Sequence, residues 1–300
     1  MEFDAIVVGG SFAGLSAAMQ LARARRAVLI VDAGLPRNRF SHASHGFFGQ
    51  DGRRPADIIT DARAMVLAYP TVRFVAGEAV EASPIEHGFS VTLASGEIHE
   101  AARLVLATGV VDDLPDVPGL AERWGQSVFH CPYCDGYELT GRKIGVLATS
   151  PQIHTAMLLP DWGDTTFFTN EVITLDDEQR AALLARGVTI EPTPVVSLVG
   201  ESPALSGVEL ADGRVVAIGA LFTAGRTRMA SQLAELLGCE FDEGPIGPVI
   251  RTDEVQTTTV PGVYAAGDAA QAFANATLAS ASGVIAGVSA HRSLVFARAA

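Results

Sequence analysis

An α/β fold built from two similar halves is predicted by three features of this 300-residue chain. Thirty glycines accompany a 48% hydrophobic content. Apolar runs of strand length alternate with helical patterns. The order strand, loop, helix, strand begins near residue 3 and again near residue 143. A chain of this length can bury a sizeable core, expected as two domains.

The first half opens on the apolar run Phe3–Val8 and passes into Gly9-Gly10-Ser11-Phe12-Ala13-Gly14. A helical pattern follows to Leu21, and a second strand over 27–31 ends at Asp32. Such a turn lets the backbone approach a pyrophosphate, whose charge the helix N-terminus favours. Asp32 stands near the spacing of about 20 residues at which a carboxylate meets a ribose hydroxyl. Ser11 replaces the usual middle glycine with the smallest tolerable side chain, so the string reads GxSxxG. Residues 73–82, 89–94 and 97–107 read as strands, with Ser95-Gly96 turning between the last two. The last runs into Ala107-Thr108-Gly109. Pro115, Pro118 and Gly119 mark a first crossing between domains, and Gly244-Pro245 the expected return.

In the second half, 143–148 is a strand followed by a helix, with Thr149 or Ser150 as the expected N-cap and Pro151 near the first turn. Residues 206–210 and 214–223 flank the hairpin turn Asp212-Gly213 and lead into Ala224-Gly225. Near the end, Val260-Pro261-Gly262-Val263-Tyr264-Ala265-Ala266-Gly267-Asp268 is a strand ending in Gly-Asp at the start of a small-residue helix. That geometry aims a carboxylate and backbone N–H groups at a polar ligand.

The chemistry centres on Cys131-Pro132-Tyr133-Cys134, followed by Asp135-Gly136. Two thiols at this spacing close and open a disulfide. Pro132 suits a first helical turn, and a cysteine at a helix N-terminus has a lowered pKa. Asp135 adds a proton donor or acceptor. A zinc site needs four closed ligands, and the remaining cysteine, Cys239, is isolated and reads as a small apolar packing residue. No metal is expected. The net charge of −13 argues against nucleic acid and against an anionic membrane surface. No apolar run reaches the roughly 18–20 residues of a membrane span. The strand beginning at residue 3 has neither a charged leader nor an apolar segment before it, so no signal peptide is expected. Three cysteines, two in redox spacing, fit a reducing cytoplasm.

The glycine turn near residue 9, Ala107-Thr108-Gly109, Cys131-Pro132-Tyr133-Cys134-Asp135-Gly136 and Gly267-Asp268 come in one order. That order resembles the low-molecular-weight thioredoxin reductase family over essentially the whole chain. The resemblance implies two Rossmann-like three-layer domains, the second inserted into the first: an FAD-binding domain at 1–115 and 245–300, and a nicotinamide-type domain carrying the disulfide at 116–244. It also implies a homodimer acting on a dithiol or disulfide, either a small molecule or a thioredoxin-like protein. Carried over, Gly9, Gly14 and Asp32 hold the FAD pyrophosphate and adenosine ribose, and Ser11, Phe12 and Ala13 belong to the same cofactor-binding set. Ala33, Arg39, His45, Ala107, Thr108 and Gly109 complete the cofactor-binding set. Asp268, after Gly267, meets the ribityl chain or the pyrophosphate. Cys134 faces the flavin C4a, Cys131 exchanges with substrate, and Asp135 is the acid/base.

A narrower branch is resembled by Gly34-Leu35-Pro36-Arg37-Asn38-Arg39-Phe40, by His45-Gly46-Phe47-Phe48 and by His130. That branch contains flavin dithiol oxidases of disulfide-containing natural products and reductase-like proteins of unassigned donor. Asp135 stands as in the reductases, where the oxidases usually carry histidine. His45 contacts the flavin or stabilises a turn, and His130 tunes the Cys131 thiolate or caps the helix. Phe296 covers the flavin or docks the tail as a buried aromatic.

Reductases of this family need a second dinucleotide site after the strand at 143–148. Ala148-Thr149-Ser150-Pro151-Gln152-Ile153 has no glycine for it. From Ile144 through Gln179 there is no Lys or Arg, while Asp161, Asp164, Glu171, Asp176, Asp177 and Glu178 all fall in that window. A 2′-phosphate finds no bidentate partner there. The expected function is therefore an FAD-dependent dithiol/disulfide oxidoreductase that does not use NADPH. Its rivals are an NADPH-dependent thioredoxin reductase and a flavin-binding redox sensor without turnover.

Overall fold

The strand Phe3–Val8 is apolar on both faces from Ala5 onward, and the structure buries both there. Ile6 and Val8 lie in one core cluster, Ala5 and Val7 in another, as the two-residue period of a strand requires. The computed structural model describes residues 2–296. Phe3–Val8 pairs in parallel with Val28–Asp32 and Ile98–Leu106, and Val28–Asp32 pairs in parallel with Val72–Ala76. Along Ile98–Leu106 the first half pairs antiparallel with Gly88–Leu93. The second half pairs in parallel with Val263–Ala265, so the C-terminal strand rejoins the sheet begun by the N-terminus.

One face of this sheet packs on Phe12–Arg23, Pro55–Leu67 and Ala276–Phe296. The other packs on the hairpin Ala79–Ile85 and Gly88–Leu93 and on the short helix Leu233–Leu236. Three layers result. The long C-terminal helix lies against the first helix because it lacks side chains there: a Cβ at Gly283 or Gly287 would overlap the backbone of Ala13 or Ala17.

The second unit repeats the plan. Thr189–Glu191, Asp164–Phe168, Lys143–Leu147, Ala220–Phe222 and Val128–Phe129 lie side by side and parallel. An antiparallel sheet of Val195–Val199, Gly207–Leu210 and Val215–Val216 accompanies them. Ile144, Phe167, Phe168 and Phe222 are fully buried in its core. The helix Asp177–Ala185 starts at a capping box: the Gln179 N–H donates to the Asp176 carboxylate at 2.7 Å, and the Asp176 N–H donates to the Gln179 side chain at 3.2 Å. Such a cap contributes about 1 kcal/mol.

The α/β class and the two Rossmann-like halves are as predicted, with local differences. Residues 73–82 divide at Gly77 into two strands, Val72–Ala76 and Ala79–Ile85. Residues 214–223 divide as well: Val215–Val216 closes the hairpin, and Ala220–Phe222 joins the parallel sheet. Neither Thr149 nor Ser150 is an N-cap. The helix there is His154–Leu158, entered from Ile153, and the Thr149 hydroxyl donates to the Ala224 carbonyl instead.

The chain divides into one unit of the residues up to Arg39, Pro55–Asp112 and the residues from Thr227, and a second of Phe40–Arg54 and Asp113–Arg226. The expected crossings at 115 and 244 thus fall at 112 and 226. The return comes earlier because the Thr227 N–H already donates to the Ile246 carbonyl, joining 227–246 to the first unit. Phe40–Arg54 joins the second unit through contacts no composition break announces, such as His42 Nε2 to Gln126 Oε1 at 3.2 Å. Among the described residues no helix is long and apolar enough to cross a membrane.

Candidate functional site

In the first unit, the glycine turn is built from close approaches. Gly9 has φ +108°, and a Cβ on it would overlap the Ala107 carbonyl. A Cβ on Gly14 would overlap the Gly9 carbonyl. Gly10, in a slot of the motif that tolerates any residue, meets the Asp32 side chain: an added Cβ would lie 2.7 Å from Asp32 Cγ. The Gly10 N–H donates to Asp32 Oδ1 at 3.1 Å, and Arg63 donates to Asp32 Oδ2 at 3.0 Å while stacking on Phe74. The result is a side-chain-free backbone turn beside an oriented carboxylate, which fits the pyrophosphate and ribose of a dinucleotide.

Ser11 is the N-cap of Phe12–Arg23, but its hydroxyl makes no capping bond. Phe12 packs on the helical face of the core, and Ala13 is buried in it. The second approach to the site comes from the C-terminus. A Cβ on Gly267, which has φ +72°, would lie 2.9 Å from the Ala13 Cβ, so the Gly267–Ala269 turn sits on the glycine turn. The Gly267 N–H is taken by the buried Ser282 hydroxyl at 2.9 Å and is not a donor to a ligand. Thr108 and Gly109 lie half-buried beyond the end of Ile98–Leu106. Ala33 and Arg39 are exposed, and Arg39 donates to the Pro36 carbonyl at 3.0 Å. The more enclosed guanidinium of that segment is Arg37, half-buried, which sequence reasoning passed over. It pairs with Asp112 and Asp268. Phe296 is 67% exposed at the end of the last helix, so it is not a buried docking aromatic.

In the second unit, Val128–Phe129 delivers Cys131 as the N-cap of the one-turn helix Pro132–Asp135, with Pro132 at its first position. Cys131 and Cys134 are joined as a disulfide, with Cα atoms 5.3 Å apart. The helix is a single turn of four residues. His130 stacks on Trp124 at 6.0 Å, and the N-cap position itself is Cys131. Tyr133 meets Trp162 edge-on at 5.8 Å.

Asp135 closes the turn. Burial, reinforced by the Glu138 carboxylate and opposed by His45, pushes its carboxyl up to about 7. Glu138, absent from the sequence reading, sits one turn beyond Asp135. His45 Nε2 lies 3.5 Å from Glu138 and Nδ1 lies 3.7 Å from Asp51. His45 belongs to the dithiol-bearing unit, where its charge acts on Asp135 and its ring faces Glu138 and Asp51. Cys239 is buried in the first unit, with its thiol 3.6 Å from the Thr258 hydroxyl and its pKa raised by burial, as suits a packing residue.

The Asp135 shift has a measurable sign. A carboxyl whose pKa rises on folding binds its proton more tightly folded than unfolded, where it titrates near 3.9. Its stabilising contribution is full below about 3.9 and lost as pH climbs through about 7. Asp135→Asn should therefore stabilise the oxidised protein at pH 8 by about 1–3 kcal/mol, allowing for solvent screening, and change little at pH 4. Urea unfolding at the two pH values measures this. Equal effects at both would mean that Asp135 titrates normally.

Comparison with known proteins agrees with this geometry. The model of the family "Pyridine nucleotide-disulphide oxidoreductase" matches residues 3–148 and 169–283. The chain is 33% identical to "Thioredoxin reductase tcpT" of Claviceps purpurea, over 95% of this chain and 92% of that protein. It is 49% identical to an oxidoreductase from Agrobacterium tumefaciens of known crystal structure, with a TM-score of 0.95 and 99% of each chain covered. A thioredoxin reductase from Streptococcus pyogenes, 22% identical, shares the fold with a TM-score of 0.83 over 98% of each chain.

Proposed function

We propose, from the premise that the chain belongs to the pyridine nucleotide-disulphide oxidoreductase family, that the Cys131–Cys134 pair exchanges two electrons with a dithiol or disulfide substrate without drawing on NADPH. Membership makes the chain a thioredoxin reductase-like flavin disulfide oxidoreductase. The observation that carries the finer reading is the Cys131–Cys134 disulfide on one turn with Asp135, whose carboxyl titrates near 7.

In the oxidising direction, a substrate thiol loses its proton to the Asp135 carboxylate and attacks the Cys131 sulfur. The Cys131–Cys134 bond breaks, and Cys134 leaves as a thiolate. The second substrate thiol then attacks the substrate sulfur of the mixed disulfide, its proton passing to the departing Cys131 sulfur, and the substrate leaves as a disulfide. A carboxyl near 7 can take and return protons at neutral pH at comparable cost. Bound FAD would supply a two-electron acceptor for the reduced pair. Gly9, Gly10, Gly14 and Asp32 would hold its adenosine diphosphate half, and the Gly267–Ala269 turn would approach its other half.

The substrate is a small dithiol or a thioredoxin-like protein, in line with the name of the Claviceps relative. A cytoplasmic homodimer completes the proposal. Independence from NADPH is supported by the glycine-free loop after Lys143–Leu147 and by the break in the family match between 148 and 169.

The purified protein should be yellow, release FAD on denaturation, and bleach when a dithiol such as dithiothreitol is added without oxygen. Colourless protein that FAD cannot reconstitute would sink the reading.

A further inference from the structure

Arg37, Asp112 and Asp268 form a closed group in the first unit that the dithiol chemistry does not use. Arg37 Nε and Nη2 donate to Asp112 Oδ2 and Oδ1 at 2.9 and 2.5 Å, and Nη1 donates to Asp268 Oδ2 at 3.0 Å. The three side chains are 15%, 10% and 20% exposed. They come from the Arg37–Phe40 turn, the strand Val110–Asp113 and the Gly267–Ala269 turn. A cleft lined in part by Val110, Thr227 and Gly247 reaches both Arg37 and Asp268.

The geometry has an electrostatic logic. One guanidinium placed between two nearly buried carboxylates offsets their mutual repulsion. The two-point fork on Asp112 fixes the plane of Arg37, so its Nη1 holds Asp268 in one orientation. An ionised carboxylate only accepts hydrogen bonds. A pyrophosphate at neutral pH has no proton to give it, whereas a hydroxyl has. The group also carries one net negative charge, which repels a phosphate.

We propose that Arg37 is a cofactor-positioning residue, which acts through Asp268 by holding that carboxylate oriented to accept from a hydroxyl of the FAD ribityl chain. This inference rests on the FAD reading above. Asp112 anchors the arginine and does not touch the cofactor.

The test titrates FAD and ADP separately into the flavin-stripped full chain, following flavin fluorescence and calorimetric heat. ADP carries the half of FAD assigned to the glycine turn and lacks the ribityl chain. Arg37→Met should weaken FAD by roughly ten- to a hundredfold, the loss of a hydrogen bond to a charged group, and leave ADP binding unchanged. Arg37→Lys, which keeps the charge but not the fork, should fall between wild type and Arg37→Met. In an Asp268→Asn background, Arg37→Met should cost little more, because one path is already cut. The proposal is overturned if Arg37→Met binds FAD like wild type, if FAD and ADP weaken together, or if the loss is undiminished in the Asp268→Asn background. Should Arg37→Met fail to fold, Arg37→Lys with the same two ligands decides, since a merely structural role would not separate FAD from ADP. Wild-type protein that binds neither ligand would refute the FAD reading itself, and this inference with it.

Discussion

Cys134→Ser should abolish both dithiol turnover and the thiolate–flavin charge-transfer absorption of the reduced protein, whereas Cys131→Ser should abolish turnover and keep the absorption. Each loss of turnover should be roughly a thousandfold or more, because a hydroxyl at neutral pH cannot replace a thiolate as nucleophile or leaving group. The two cysteines share one helical turn and one disulfide, so their difference cannot come from separate environments. It comes from order: Cys131 precedes the turn as its N-cap, and Cys134 lies within it. The family-like assignment gives substrate exchange to the first and electron transfer to the second. Anaerobic titration of each variant with dithionite, read as long-wavelength absorbance, separates the roles. Absorption kept by Cys134→Ser and lost by Cys131→Ser would reverse them. Absorption kept by both would remove the pair from contact with the cofactor altogether.

What the sequence made legible was local. Phe3–Val8, the glycine turn and Asp32 lie within one strand–helix–strand unit, where spacing alone reports proximity. The disulfide and Asp135 were legible for the same reason. What escaped was long-range. Arg37 lies 75 residues from Asp112 and 231 from Asp268, and no periodicity connects them. The two arginines of Arg37-Asn38-Arg39 look alike in sequence, and only the fold shows that Arg37 is enclosed while Arg39 is exposed. Gly10 escaped because its constraint is the Asp32 carboxylate, which only the parallel pairing of Phe3–Val8 with Val28–Asp32 brings alongside. Glu138 and His45 meet only because Phe40–Arg54 leaves the unit that flanks it in sequence. Pro132 marks where the helix after Cys131 starts but not how far it runs, and Pro132–Asp135 is a single turn.

NADPH should fail to reduce the flavin at a catalytically useful rate even at millimolar concentration, while dithionite or a dithiol succeeds. Binding of a dinucleotide at a strand–helix junction needs a tight glycine turn and a helix whose N-terminus faces the phosphates. The first unit has both: Phe12–Arg23 begins directly after the turn that follows Phe3–Val8. At the matching junction of the second unit, Lys143–Leu147 is followed by the glycine-free stretch 148–153 and then by His154–Leu158, a helix of five residues. So short a helix aligns few dipoles. The 2′-phosphate fares no better. After Asp164–Phe168 come Thr169, Asn170 and Glu171, and the Asn170 side chain is already accepting from the Val195 N–H at 2.9 Å. Of the arginines that follow in sequence, Arg186 pairs with Asp161 and Arg214 with Glu191 and Asp212, while Arg180 is exposed on the helix Asp177–Ala185. Exposed acidic charge is partly screened at physiological salt, but a missing turn is steric and is not screened. Stopped-flow mixing with NADPH, read as loss of flavin absorbance, tests this directly. Full bleaching by micromolar NADPH within a second would restore a conventional NADPH-dependent reductase and require a dinucleotide site built without glycines.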